Sequence, residues 1–331
     1  MPNWNEVLKQ IQDFQEQHRD DPKVARTAID VVRRRYLEEL FAHTQRNVIA
    51  YYSGFLSKPG IVGLEINDED KNGFMMAVHR LDRSKGLDLI LHTPGGSIAA
   101  TQSIVNYLHK MFGRDIRSII PQIAMSAGTM VACSTKEIVM GTHSNIGPID
   151  PHLRDVPAYG VILEFKRAFK EVKDDPTRIP IWQTIIGQYR PTFLSQCEDA
   201  IKWSNSFVRE QLRNVMFYRS RNKAYKAAKV VRKLTDYRVG RQSHERHLHY
   251  EDCLSAGLKV VPIESDDTLQ DLVLTVHHCY MHSLMNTASY KLIENHLGVA
   301  FVKQLREVSV SIPQLLPVQP QTVQPVQPTP S

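Results

Sequence analysis

The sequence is poor in cysteine, with 4 in 331 residues, at positions 133, 197, 253 and 279. No two stand in a CxxC spacing, so neither a cysteine zinc site nor a disulfide framework is expected. Each reads as a small buried apolar side chain, and a reducing cytoplasm fits that usage. Long apolar runs are missing as well. No stretch of about 18 apolar residues occurs, so no membrane-spanning helix is expected. The start, MPNWNEVLKQ, lacks the apolar centre of a signal peptide. Metal chemistry finds no pattern. The histidines at 244, 247 and 249 and at 277, 278 and 282 lack the HExxH spacing, and no second ligand set follows them. The run 209–241 is strongly basic, but no nucleic-acid-reading signature accompanies it. Neither a cofactor nor a nucleic acid is therefore expected.

What remains is the composition of a soluble globular protein: 42% hydrophobic, 23% charged, net charge +6. The length suffices for one large or two ordinary domains. Trp4, Val7, Leu8, Ile11 and Phe14, then Val24 to Phe41, recur at helical spacing and make 1–46 a helical arm. NVIAYYSGFL (47–56) reads as a first core strand, and Asp68 opens a helix through Met75, Val78 and Leu81. Helices are expected over 159–172 and 191–219. The aromatic stripe of the second reads as packing or a subunit contact. Leu269 to Leu284, then Tyr290, Ile293, Leu297 and Phe301, have helical spacing through 306. From about 308 the chain is uncharged and rich in proline and glutamine, a composition that does not fold.

Two turns dominate the middle of the chain. Leu87, Leu89, Ile90 and Leu91 form a short apolar run that Thr93-Pro94-Gly95-Gly96 breaks. Ile98, Thr101, Ile104, Val105 and Leu108 then recur at helical spacing. Ile116, Ile119 and Ile120 form a second apolar run, followed by Met125-Ser126-Ala127-Gly128-Thr129 and a buried-helix pattern over 130–133. Both are strand–turn–helix units of a parallel sheet, and open α/β sheets bind ligands at the carboxyl ends of their strands. Alone, PGG is a tight turn and Ser126 a helix cap. Together they place a serine and backbone N–H groups where a nucleophile and an oxyanion hole are needed, if the turns are neighbours.

The pair TPGGS … AMSAGT resembles the Clp-fold serine peptidases, the superfamily of Clp protease and signal peptide peptidase A, and in particular the serine dehydrogenase proteinase family. The resemblance runs from NVIAYYSGFLSKPG through LDRSKGLDLILHTPGG to SNIGPIDP, and weakly to EDCLSAGLKV (251–260). It implies an α/β fold of the Clp/crotonase type, a ββα superhelix over 47–265, flanked by the arm (1–46), C-terminal helices (266–307) and the tail (308–331). It implies Ser126 as nucleophile and the N–H groups of Gly96 and Ala127 as oxyanion hole. The histidine of Clp protease has no counterpart here, because Ile149 falls about there. The family's Ser–Asp–His order implies Asp150 and His244 instead. His152, His247 and His249 compete with His244, and Lys166 or Lys136 would serve in a Ser–Lys dyad. Asp150 before Pro151 is equally a turn residue.

The expected activity is a cytoplasmic serine endopeptidase acting on peptide or protein substrates, without cofactor or membrane segment, and a homo-oligomer by resemblance. The alternatives are a catalytically inactive Clp-like assembly or binding protein, using the basic stretch and the tail as contacts, and a crotonase-type thioester enzyme.

Overall fold

A computed structural model of the chain describes residues 4–153, 156–235 and 246–305. The arm forms α1 (Trp4–Gln17), α2 (Pro22–Ala25) and α3 (Ala28–Thr44). Then come β1 (Asn47–Ser53), α4 (Asp70–Val78), β2 (Leu87–His92), α5 (Ile98–Phe112), β3 (Ile116–Ile120), β4 (Ile123–Ala124) and α6 (Ala127–Cys133). The middle continues with β5 (Glu137–Met140), β6 (Asn145–Ile146), β7 (His152–Leu153), β8 (Val156–Pro157), α7 (Ala158–Asp174), α8 (Ile179–Ile186) and α9 (Phe193–Gln211). A π-helical turn, Leu212–Met216, ends α9. The last elements are α10 (Lys223–Leu234), α11 (Tyr250–Ala256), β9 (Val260–Pro262), α12 (Asp267–Asn286), β10 (Ser289–Asn295) and β11 (Ala300–Gln304).

The main sheet has seven strands in the order β11-β10-β1-β2-β3-β5-β9. Its five strands from β1 to β9 are parallel, and β10 is antiparallel to both β1 and β11. Side chains alternate between two buried faces. Ile49, Tyr51, Leu89 and Leu91 enter a core with α4, α5, α6 and α10, whereas Val48, Ala50, Tyr52 and Ile90 enter a second core with α1, α3 and α12. Burial on both faces is why these strands read as unbroken apolar runs. Among the described residues no helix is long and apolar enough to cross a membrane.

The C-terminal region departs from its expected helices. α12 ends at Asn286, and the chain returns as the hairpin β10–β11. Tyr290, Ile293 and Phe301 have helix-like spacing, but β10 is buried on both sides and so shows no two-residue alternation. The hairpin turn is made by Asn295, whose Oδ1 accepts from the N–H of Leu297 and Val299, and by Gly298 at φ +78°. β10 sits inside the sheet, so this region is part of the central fold rather than an appended helical layer.

Candidate active site

The two turns are laced together by backbone bonds. Thr93 N–H donates to Ile123 O (3.1 Å) and Met125 N–H to Thr93 O (3.0 Å). They touch: a Cβ on Gly95 would stand 2.7 Å from Ser126 Cβ and 3.0 Å from Ala127 N. Gly96 lies at φ +151°, and a Cβ there would meet Ile66 N and O at 2.4 Å. Glycine is required at this position on both counts.

Ser126 stands at the N-cap position of α6 with φ +50° and ψ −112°, and its side chain caps nothing. A non-glycine residue in this region stores about 1–3 kcal/mol of backbone strain. The cap expected from sequence is absent, and the geometry is that of a sharp strand-to-helix elbow lifting a hydroxyl out of the backbone. The N–H groups of Gly96 and Ala127 donate to no acceptor among the described residues. Behind Gly96, α5 begins with Ser97 as N-cap, its Oγ accepting from Ala100 N–H, so the positive end of that helix lies at the turn.

A cleft of about 410 Å³ opens over these groups, lined among others by Gly96, Ser126, Asp150, His152 and Trp203. Asp150 and His152 reach it because their loop is pinned to α6. Thr129 Oγ1 lies 3.0 Å from Ala124 O and 3.0 Å from Gly147 O, and it accepts from Gly147 N–H. A Cβ on Gly147 would stand 2.6 Å from Met125 Cε, so the loop lies flush against the serine turn. Asp150 is buried, and its Oδ2 is 3.8 Å from His152 Nε2, an imidazole that is about a third exposed. Ile149 lines the same cleft.

The structure therefore brings Ser126, Gly96, Ala127 and Asp150 together, with His152 beside them. His244 lies outside the described residues. The chain is described again from Arg246, and Leu248 pairs with Ile146 of β6. His247 is exposed, and His249 caps α11. Neither lysine lines the cleft: Lys136 Nζ is 2.7 Å from Asp115 before β5, and Lys166 is exposed on α7. The α9 stripe is mainly packing, but Trp203 is 45% exposed, lines the cleft and donates from Nε1 to Gln102 Oε1. Glu65 also lines it, from a loop with no local sequence signal. In the basic stretch, Arg209, Arg213, Lys226 and Arg232 are exposed, and 236–241 lies outside the described residues. Among the described residues no three histidine, cysteine or carboxylate side chains cluster as ligands. All four cysteines are buried and free.

A family profile described as ClpP-like SDH-type serine proteinase matches residues 21–293. The chain is also similar to two uncharacterized proteins of Methanocaldococcus jannaschii. It is 28% identical to MJ0137 over 215 residues, 65% of either chain, and 28% identical to MJ1495 over 195 residues, 59% of either chain. The chain thus spans somewhat less than two thirds of the length of these relatives. The profile covers both turns, the sheet from β1 into β10 and the loop carrying Asp150, and on that match the chain belongs to the ClpP-like, SDH-type serine proteinase family.

Proposed function

We propose that the chain is a serine peptidase whose nucleophile is Ser126 and whose general base is His152, oriented by Asp150. The observation that carries this reading is the strained, non-capping backbone of Ser126 at the mouth of a cleft, beside two N–H groups that have no acceptor among the described residues. An extended peptide in the cleft presents its carbonyl carbon to Ser126 Oγ. His152 takes the hydroxyl proton as the C–O bond forms, and the negative charge on the carbonyl oxygen falls to the N–H groups of Gly96 and Ala127. His152 then gives the proton to the leaving amine. Water, activated by the same imidazole, releases the acyl group.

The same reading extends to the fold as a ββα superhelix. The core strands β1, β2, β3 and β5 are each followed by a short extended piece, and these pieces pair in parallel. Ile66 pairs with Gly96, Thr93 with Ala124, and β4 with β6. This second layer is what joins the two functional turns.

The test is labelling of purified protein with a fluorophosphonate, comparing wild type with Ser126→Ala, His152→Ala and His244→Ala. Labelling is expected to vanish in the first two variants and to persist in the third. Undiminished labelling of Ser126→Ala would overturn the nucleophile. Loss in His244→Ala alone would transfer the base to His244.

A further inference from the structure

A buried lysine stands behind the Gly95-Gly96 turn, inside the sheet. Lys291 of β10 is fully buried, and its Nζ lies 3.0 Å from both carboxylate oxygens of Asp70 and 2.8 Å from the carbonyl oxygen of Glu65. Asp70, also fully buried, accepts through Oδ2 from Tyr51 O–H (2.8 Å) and from Asn67 N–H (3.0 Å).

Residues 64–67 form a strap between this cluster and the cleft. Leu64 O accepts from Ser53 Oγ–H (2.7 Å), Glu65 O from Lys291, and Asn67 N–H donates to Asp70. Ile66, held between these anchors, turns its backbone the other way. Its N–H donates to Gly95 O (2.7 Å), and its carbonyl accepts from Ser97 N–H (2.9 Å). Gly96 lies between those two bonds, with no room for a side chain against Ile66 and with its own N–H unpaired among the described residues. Fixing Ile66 therefore fixes the direction of the Gly96 peptide.

Relative to apolar side chains of equal volume, a buried ion pair adds little net stability, because desolvation offsets the attraction. What the Lys291–Asp70 pair supplies is geometry. It provides a three-donor ammonium that holds a main-chain carbonyl, and a carboxylate that holds a main-chain N–H two residues on. Oxyanion stabilisation needs donors set in place before charge develops. A displacement of about 1 Å at such a site costs up to roughly a hundredfold in rate.

We infer that Lys291, with Asp70, is a positioning residue that holds the 64–67 strap and through it aims the Gly96 N–H at the developing oxyanion. The inference rests on the peptidase reading above only for its consequence on rate. The structural part is independently measurable.

The experiment uses the full chain with Lys291→Met and Asp70→Asn combined, a neutral pair that keeps an acceptor for Tyr51 and Asn67. Lys291→Met alone would leave an uncompensated buried carboxylate and is compared for folding only. In the folded double variant, exchange of the Ile66 and Ser97 amides is expected to accelerate. Fluorophosphonate labelling and kcat are expected to fall roughly 10- to 100-fold, with KM within about twofold. A purely structural role would lower the melting temperature while leaving the labelling rate of the folded fraction unchanged. That outcome, or wild-type amide exchange in the double variant, would overturn the proposal. If wild type itself fails to label, the peptidase reading falls, and the exchange of Ile66 and Ser97 still decides whether Lys291 holds the strap.

Discussion

Among the described residues, four non-glycine residues take positive φ: Gln45, Arg80, Ser126 and Thr192. Gln45 is the left-handed cap that ends α3, an ordinary use of that conformation. Ser126 is different, because it sits between β4 and α6 with the strained pair φ +50° and ψ −112° and faces a cleft. Its neighbours are fitted to it. A Cβ at Gly96 would collide with the Ile66 backbone, which cannot yield as a flexible side chain would. Gly96→Ala is therefore expected to cost about 2 kcal/mol or more of stability, since a strained φ and a backbone clash combine. In the fraction that remains folded, phosphonate labelling should fall below detection. Urea titration and gel fluorescence check the two effects separately, and wild-type labelling in Gly96→Ala would remove this N–H from the oxyanion hole.

At the scale of elements, the helical arm is joined to the sheet by charge as well as by apolar packing. Arg33 of α3 donates from Nε to Glu294 Oε2 of β10 (2.6 Å), and Arg34 donates to the other oxygen (2.7 Å). Tyr280 of α12 also donates to Glu294 (3.0 Å). Arg33 and Glu294 are almost wholly buried, and breaking such a pair from one side typically costs about 3–5 kcal/mol. Glu294→Gln should lower the unfolding free energy by about that amount in urea denaturation. An effect below about 1 kcal/mol would mean that apolar contacts alone hold the arm.

The elements also show which parts of the molecule were readable. Leu87–Leu91 and Ile116–Ile120 announced buried parallel strands because both faces of the sheet are covered. TPGG and MSAGT announced turns because glycine interrupts an apolar run before a helix. β10 is not legible as a strand, because its neighbours fill both faces and Tyr290, Ile293 and Phe301 fall at helical intervals. At the candidate site, local motifs and the family resemblance single out Ser126, Gly96, Ala127 and Asp150, and the structure brings these four residues together. Trp203, Glu65 and the Lys291–Asp70 pair were not, since each reaches the cleft or its support through contacts between residues remote in sequence. His152 stood as one histidine among several until the Thr129–Gly147 bonds placed its loop.

For the molecule as a whole, two imidazoles are enclosed between the sheet and α12. His92 is fully buried, neither ring nitrogen has a partner in the described structure, and burial pushes its pKa down to about 3. His277, next to it, is held well below its ordinary value, chiefly by burial and then by neighbouring imidazoles. Both are neutral in the folded chain and would take up protons near pH 6.5 once unfolded. The unfolded state thus binds more protons below that pH, so stability is complete above about 6.5 and declines as pH falls toward 3. His92 contributes a slope of up to about 1.4 kcal/mol per pH unit in that window, and His277 adds to it in the same direction. Melting temperatures measured from pH 7 to pH 4 should fall, and His92→Phe should flatten the decline. An equally steep decline in His92→Phe would place the acid sensitivity elsewhere.

The contact between Lys291 and Asp70 joins residues 221 apart in sequence, and that separation has a consequence for synthesis. A ribosome delivers Ser126, both glycine turns and the Asp150 loop well before β10 exists. At about 5–20 residues per second, the strap waits on the order of 10–45 s for the strand that anchors it. During that interval β1 has an open edge where β10 will pair, and the strap lacks the Lys291 bonds to Glu65 O and Asp70. On the proposed peptidase reading, a nascent chain carries Ser126 before its strap is anchored and reaches full activity only as β10 closes the sheet, so that a polysome is spared most of the activity of a half-made chain.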